Sequence, residues 1–186
     1  MKRLFDAVLA MILLGALGLP MLLLALLVKL TSRGPALHWS DRIGRNNATF
    51  KMPKFRTMRV DTPPMATHLM VAPEKFLTPI GGFLRKTSLD ELPQLFSILW
   101  GDMSFVGPRP ALFNQDDLIS FRMAKGVHLI LPGLTGWAQV NGRDDLSIPV
   151  KAEYDEYYLK HRSFVFDLKI LGMTAVQAVM GKGVNH

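Results

Sequence analysis

The 186-residue sequence predicts a mainly α chain with a little β, seated on a membrane through its N-terminus. Three observations carry that expectation. Residues 7–28 run for 22 positions without a charge. Several later stretches have helical length and punctuation, residues 149–160 and 164–180 most clearly. Loose alternation suited to a strand is confined to residues 50–58.

As a straight helix, residues 7–28 would extend about 33 Å, enough to cross a hydrocarbon core of about 30 Å. The alternative is a re-entrant hairpin that leaves by the face it entered. Pro20, with Gly15 and Gly18 just before it, favours a bend. Proline removes a backbone donor and clashes with the preceding turn. Charge points the same way. Lys2 and Arg3 precede the run; Lys29, Arg33, Arg42, Arg45, Lys51, Lys54, Arg56 and Arg59 follow it, against only Asp41. Basic flanks stay on the cytoplasmic side, so a hairpin satisfies both ends and a span strands one. These arguments leave span and hairpin both open. A cleaved signal peptide is disfavoured, because the run is long and no small-x-small site follows it. The chain thus divides into a membrane segment, residues 1–32, and a remainder, residues 33–186. Its last helix is apolar with a few polar interruptions, as suits an interface.

The net charge is +7. Such a chain suits nucleic acid, anionic lipid or phosphorylated substrates. No nucleic-acid-binding motif accompanies the charge, which sets the first aside. Cysteine is absent, which excludes disulfides, zinc–thiolate sites and a thiol nucleophile.

Between the anchor and the C-terminal helix, residues 61–79 carry Pro63, Pro64, Pro73 and Pro79 and read as a loop. Residues 84–100 contain a helix, 101–110 are turn-rich, and 111–125 look helical. Within the basic stretch, Lys54 or Arg56 could hold a phosphate; a solvated basic face is the plainer reading.

Thr87-Ser88-Leu89-Asp90-Glu91-Leu92-Pro93 reads first as helix capping. Asp90 would be an N-cap, or Ser88 and Glu91 a capping box. A helix start would also favour an ionised carboxylate and a nearby phosphate. An ionised carboxylate can attack phosphorus or ligate Mg²⁺ beside substrate phosphates. Gly107-Pro108-Arg109-Pro110 sets an arginine between two prolines, on a stiff backbone from which a guanidinium can clamp phosphate. Alone, it is an ordinary turn.

Together, SLDELPQLFSILWGDMSFVGPRP (residues 88–110) and PGLTGWAQVNGR (residues 132–143) resemble the signatures of bacterial sugar transferases, the monotopic phosphoglycosyl transferases. YDEYY (residues 154–158) and the N-terminal KRLFDAVLA fit as well, so the resemblance covers nearly the whole chain. It implies a monotopic protein on the cytoplasmic face of the bacterial inner membrane, with a re-entrant helix broken at Pro20, interfacial helices and a small catalytic domain. Family members often have Ser-Pro at the break; this chain has Leu19-Pro20 and lacks that hydroxyl.

The resemblance further implies transfer of a sugar 1-phosphate from a UDP-sugar to polyprenyl (undecaprenyl) phosphate, with release of UMP. Asp90 would be the nucleophile and Mg²⁺ the cofactor, ligated by Asp90 and Glu91. Arg109 would bind phosphate. Arg143, with Gln139 and Asn141 as weaker candidates, would meet the nucleotide. Glu91 could ligate metal, tune Asp90 or handle a proton, and Asp155 could be structural or support the site. Short members suggest an N-acetylated deoxyamino sugar, with galactose or glucose as alternatives. A silent scaffold for glycan assembly is the competing class, although Asp90, Glu91 and Arg109 are all present. Oligomeric state stays open, a homo-oligomer included.

Overall fold

The computed structural model describes residues 1–62, 73–142 and 145–180. It is mainly helical with two small sheets, as expected. Helix α1 (Lys2–Thr31) is 30 residues long. It is also the one described helix long and apolar enough to cross a membrane. Strands β1 (Leu37–Ile43) and β2 (Thr49–Phe55) form an antiparallel hairpin. Its turn uses Asn46 and Asn47 at positive φ, a conformation asparagine tolerates. Then come α2 (Gly81–Lys86), a 3₁₀ turn at Leu89–Glu91, and α3 (Gln94–Trp100). Strands β3 (Ser104–Val106) and β4 (Ala111–Leu112) flank the Pro-Arg-Pro turn. Helix α4 (Asp116–Ala124), strand β5 (Gly133–Thr135) and helices α5 (Trp137–Val140), α6 (Ile148–His161) and α7 (Phe164–Met180) complete the chain. One sheet has the order β2-β1-β4; the other pairs β3 with β5 in parallel.

Helix α1 lies along the body. Its buried residues, Asp6, Ala10, Met21 and Val28, recur at helical spacing on both sides of Pro20. Ala10 joins Leu95, Ile98 and Met103 in one core, and Met21 and Val28 join Phe55 and Leu84 in another. The opposite face exposes Leu19, Leu22, Leu23, Leu26 and Leu30. The expected helix–break–helix is not seen as an interruption: the helix is continuous through Pro20. Pro20 is exposed, so its ring and the backbone bond it removes lie away from the packed stripe.

Both ends of α1 are fastened to the body. At the start, Lys2 pairs with Asp167 at 2.6 Å, Arg3 donates to the carbonyls of Ile98 and Leu99, and the Ser104 hydroxyl donates to Asp6 at 2.8 Å. At the end, Arg56 donates to the carbonyls of Ser32, Arg33 and Pro35. Arg56 is thereby a structural staple, which separates it from Lys54.

Helix α7 is likewise packed by one face, with Ile170 in the core, and fastened by polar side chains. Asp167 accepts from the Tyr158 hydroxyl at 2.7 Å, Thr174 meets Thr135, and Gln177 donates to the Val140 carbonyl. Phe164, Val165, Leu168 and Val176 face outward. In an aqueous fold the apolar stripe turns inward. Here the inward face mixes core residues such as Ala10, Met21, Val28 and Ile170 with the buried carboxylates Asp6 and Asp167, while the outward face is apolar as well, the pattern of a lipid-facing surface.

Candidate active site

The site forms where the β1–β2 hairpin, the segment joining α2 to α3, and the turn between β3 and β4 converge. Strand register places His38 opposite Lys54 and Arg42 opposite Phe50, so His38, Arg42 and Lys54 share one face. Arg42 also pairs with Leu112 of β4, which brings the Pro-Arg-Pro turn to the hairpin. From the other side come Arg85 at the end of α2, and Asp90 and Glu91 in the 3₁₀ turn.

Glycines make the turn's position possible. A Cβ at Gly133 or Gly136 would collide with the backbone of Gly107. Gly107 N–H donates to the Thr135 carbonyl at 2.9 Å, and Gly133 N–H to that of Pro108 at 2.9 Å. Thus the two long motifs are one unit in space: the second supplies the floor on which the first presents Arg109.

Asp90 is 7% exposed, and no hydrogen bond or ion pair reaches it among the described residues. Burial, and then the neighbouring Glu91 charge, push its carboxyl up from 3.8 to about 6; Lys54, Arg85 and Arg109 pull the other way. The capping expectation is therefore corrected. Pro93, not Asp90, precedes α3, and Ser88 makes no side-chain cap. Ser88 instead adopts a left-handed conformation with φ 56°, which turns the chain sharply two residues before Asp90. With no helix start to stabilise its charge, desolvation governs the carboxyl.

Glu91 differs: Arg109 donates to it at 2.7 Å. Burial lowers Lys54 to about 8, helped by Arg42 and opposed by Asp90 and Glu91. Burial lowers Arg42 to about 10, with repulsion from Arg109 adding to it. His38 is likewise lowered, first by burial and then by Lys54 and Arg42. Four cations, Arg42, Lys54, Arg85 and Arg109, thus surround two carboxylates. The excess of positive charge suits a diphosphate, and a cavity of about 570 Å³ opens beside it, lined in part by Arg42, Lys54, Arg85 and Phe113.

Asp90, Glu91, Arg109 and Lys54 are thus brought together as the sequence suggested. Gln139 and Asn141 serve local structure: Gln139 donates to the Leu134 carbonyl and Asn141 to that of Trp137. Arg143 lies outside the described residues. Arg42 and Arg85 escaped the sequence reading. Arg42 could have been found from its alternation with His38 on a predicted hairpin, and Arg85 from its place five residues before Asp90.

Among the described residues, no group of three His, Cys, Asp or Glu side chains forms a closed metal cage. Mg²⁺ does not require one, since it commonly takes one or two carboxylates and fills its shell with phosphate oxygens and water. Asp90 and Glu91 fit an ion that arrives with a phosphorylated substrate.

Fold and site together define a protein with an outward apolar face and a desolvated carboxylate set among four cations. The profile of the bacterial sugar transferases matches residues 1–181, and the chain belongs to that family. It is 38% identical to the uncharacterized sugar transferase EpsL of Bacillus subtilis, over all of this chain and 91% of the relative. It is 37% identical to the exopolysaccharide production protein ExoY of Sinorhizobium fredii, covering 98% and 87% of the two chains. A UDP-glucose:undecaprenyl-phosphate glucose-1-phosphate transferase of Escherichia coli is 37% identical over 98% of this chain, which spans 41% of that longer relative.

Proposed function

We propose that this chain transfers a sugar 1-phosphate from a UDP-sugar to undecaprenyl phosphate through a covalent intermediate on Asp90. An Asp90 carboxylate oxygen attacks the β-phosphorus of the donor. The bond from that phosphorus to the bridging oxygen breaks, and UMP leaves with the bond's electrons. An oxygen of undecaprenyl phosphate then attacks the same phosphorus, and the bond to Asp90 breaks, restoring the carboxylate. Arg109, Lys54, Arg42 and Arg85 bind and orient the phosphates and offset charge as it develops. Glu91 holds Arg109. Asp90 and Glu91 would hold Mg²⁺, which would supply Lewis acidity and charge neutralisation on the phosphates.

The observation that carries this reading is the buried Asp90, which has no hydrogen bond or ion pair among the described residues yet is ringed by cations. A purely structural carboxylate at that depth is normally hydrogen-bonded. Relatives named for glucose, galactose and N-acetylgalactosamine phosphate transfer favour the same reaction. The donor set to test begins with UDP-N-acetylated amino sugars, the deoxyamino type first, and includes UDP-glucose and UDP-galactose. Incubating the protein with Mg²⁺, donor and undecaprenyl phosphate should release UMP. Asp90→Asn should abolish both UMP release and phosphosugar labelling of the protein; normal turnover by that variant would remove Asp90 from the mechanism.

The fastening of both α1 ends to one polar body supports a one-face topology, with both ends at the cytoplasmic side of the inner membrane as in the re-entrant reading, although α1 runs through Pro20 without an interruption. A straight span would draw that body into hydrocarbon. Single cysteines at Lys2→Cys and Arg33→Cys, in a chain with no native cysteine, should react with an impermeant reagent from the same side. Labelling from opposite sides would establish a span.

A further inference from the structure

The Pro108-Arg109-Pro110 turn cannot hold itself, because two of its three residues lack an N–H. All three of its carbonyls accept from outside. Pro108 is met by Gly133 N–H at 2.9 Å, Pro110 by Arg42 Nη1 at 3.2 Å, and Arg109 by Arg122 Nη1 at 2.8 Å. Arg122 comes from α4 and is itself held by α6. Its Nε and Nη2 donate to Asp155 Oδ2 at 2.9 and 2.7 Å. The side chains of this pair are 11% and 2% exposed.

A buried ion pair is weak evidence of stabilisation. Well-packed apolar residues of similar volume often do as well or better. What apolar residues cannot do is hold a carbonyl. The guanidinium is planar, so two of its donors on Asp155 fix the direction of the third. That third donor ends on the backbone of the one residue between the prolines. We infer that Arg122, locked by Asp155, is a positioning residue that sets the aim of Arg109 at the donor's diphosphate. This rests on the reading of Arg109 as a phosphate clamp. It gives Asp155 a defined task, two steps from the substrate.

Misplacing a reacting or clamping group by about 1 Å can cost about a hundredfold in rate. Arg122→Lys keeps the charge but cannot serve Asp155 and the carbonyl in the same fork. It should slow the first UMP burst about ten- to hundredfold and weaken UDP binding, while the melting temperature stays close to wild type. The decisive measurement is a cycle with Arg109→Lys. If Arg122 acts through Arg109, adding Arg122→Lys to that background should cost less than about threefold more, in burst rate and in UDP affinity. Full multiplication of the two losses would overturn the inference.

Glu156→Gln is the control. Glu156 of α6 pairs with Lys125, just past the end of α4, at 2.5 Å, and among the described residues it makes no hydrogen bond or ion pair with the turn. It should leave the burst within about twofold; a loss equal to that of Arg122→Lys would reduce the brace to helix packing and overturn the inference. If Arg122→Lys does not fold, Arg122→Met with Asp155→Leu fills the site with apolar groups, and a folded, slow enzyme is expected. That double variant turning over at the wild-type rate would also overturn it. A wild type that neither releases UMP nor binds UDP would overturn the functional reading itself, and the brace with it. An active wild type with multiplicative losses overturns the brace alone.

Discussion

Beneath the lipid-facing helices, Asp6 and Asp167 are 1% and 5% exposed, and each is met by donors. Ser104 reaches Asp6, while Lys2 and the Tyr158 hydroxyl reach Asp167. In the site, Asp90 is 7% exposed and, among the described residues, meets only the fields of its neighbours. The three carboxylates share depth and differ in company. Asp6 and Asp167 are fasteners, whose removal strands a partner. Asp90 is held apart from donors, its charge costly in the resting protein and available to a reagent.

The sharpest way to break this contrast is to neutralise Asp90. Asp90→Asn is expected to lower UMP release by at least about a thousandfold, since an amide cannot take the phosphosugar and Glu91 is held by Arg109. The same change should leave the melting temperature unchanged or raise it. Native Asp90 titrates near 6 instead of 3.8, so the native state binds this proton more tightly than the unfolded one. That advantage is complete below about pH 4 and gone once the pH has risen through 6. At neutral pH the native protein therefore carries a desolvated charge costing at most about 3 kcal/mol, which an amide relieves. A large fall in thermal stability would place Asp90 among the fasteners.

The converse holds beneath α1 and α7. Asp167→Ala should destabilise the protein by about 1–3 kcal/mol, because Lys2 loses its carboxylate and the Tyr158 hydroxyl keeps only the Val106 carbonyl, and Asp6→Ala by a similar or smaller amount, because the Ser104 hydroxyl loses its acceptor. Denaturant unfolding in detergent measures this. Turnover per folded molecule should stay within about twofold. A selective loss of turnover would link the fasteners to the chemistry.

Lys54 tests the site's electrostatics. Attack needs an ionised Asp90 and donor binding a charged Lys54, so kcat/KM should rise with pH to about 6 and fall above about 8. Lys54→Met should raise KM about ten- to hundredfold and abolish the alkaline limb. An unchanged alkaline limb would assign that titration elsewhere.

The two regions also differed in how far the sequence revealed them. The helices α1, α6 and α7 were legible because their apolar runs and flanking punctuation are local. The site's chain-order core, Asp90, Glu91 and Arg109, was legible through two long motifs. Arg42 and Arg85 were not, because strand register and a short helix bring them in from outside those motifs. The brace on Arg109 was hidden for the same reason, as Arg122 and Asp155 meet only through the packing of α4 on α6. The capping reading of Asp90 failed at Ser88 and Pro93. A left-handed residue and a proline postpone α3 to Gln94, so the carboxylate sits on a 3₁₀ turn with no helix end to favour its charge. The absence of a break at Pro20 has a similar cause: packing on both sides of the proline overrides its local preference.

The smallest effect is expected on the outer stripe of α1. Leu22 and Leu26, 69% and 53% exposed, lie one turn apart and touch no core. Changing both to glutamine should alter unfolding stability in detergent by no more than about 0.5 kcal/mol per site and leave the UMP burst untouched. Association with lipid vesicles should weaken about tenfold or more, because each leucine returned to water forfeits about 1.5–3 kcal/mol of burial. An outward face that is apolar yet separate from the packed cores makes this separation possible. The fasteners stabilise the protein without touching lipid, and the leucines hold lipid without stabilising the protein. A fall of several degrees in melting temperature would instead mean that the stripe is covered by protein, a second copy of this chain included, and the outward face of α1 would be an interface between subunits.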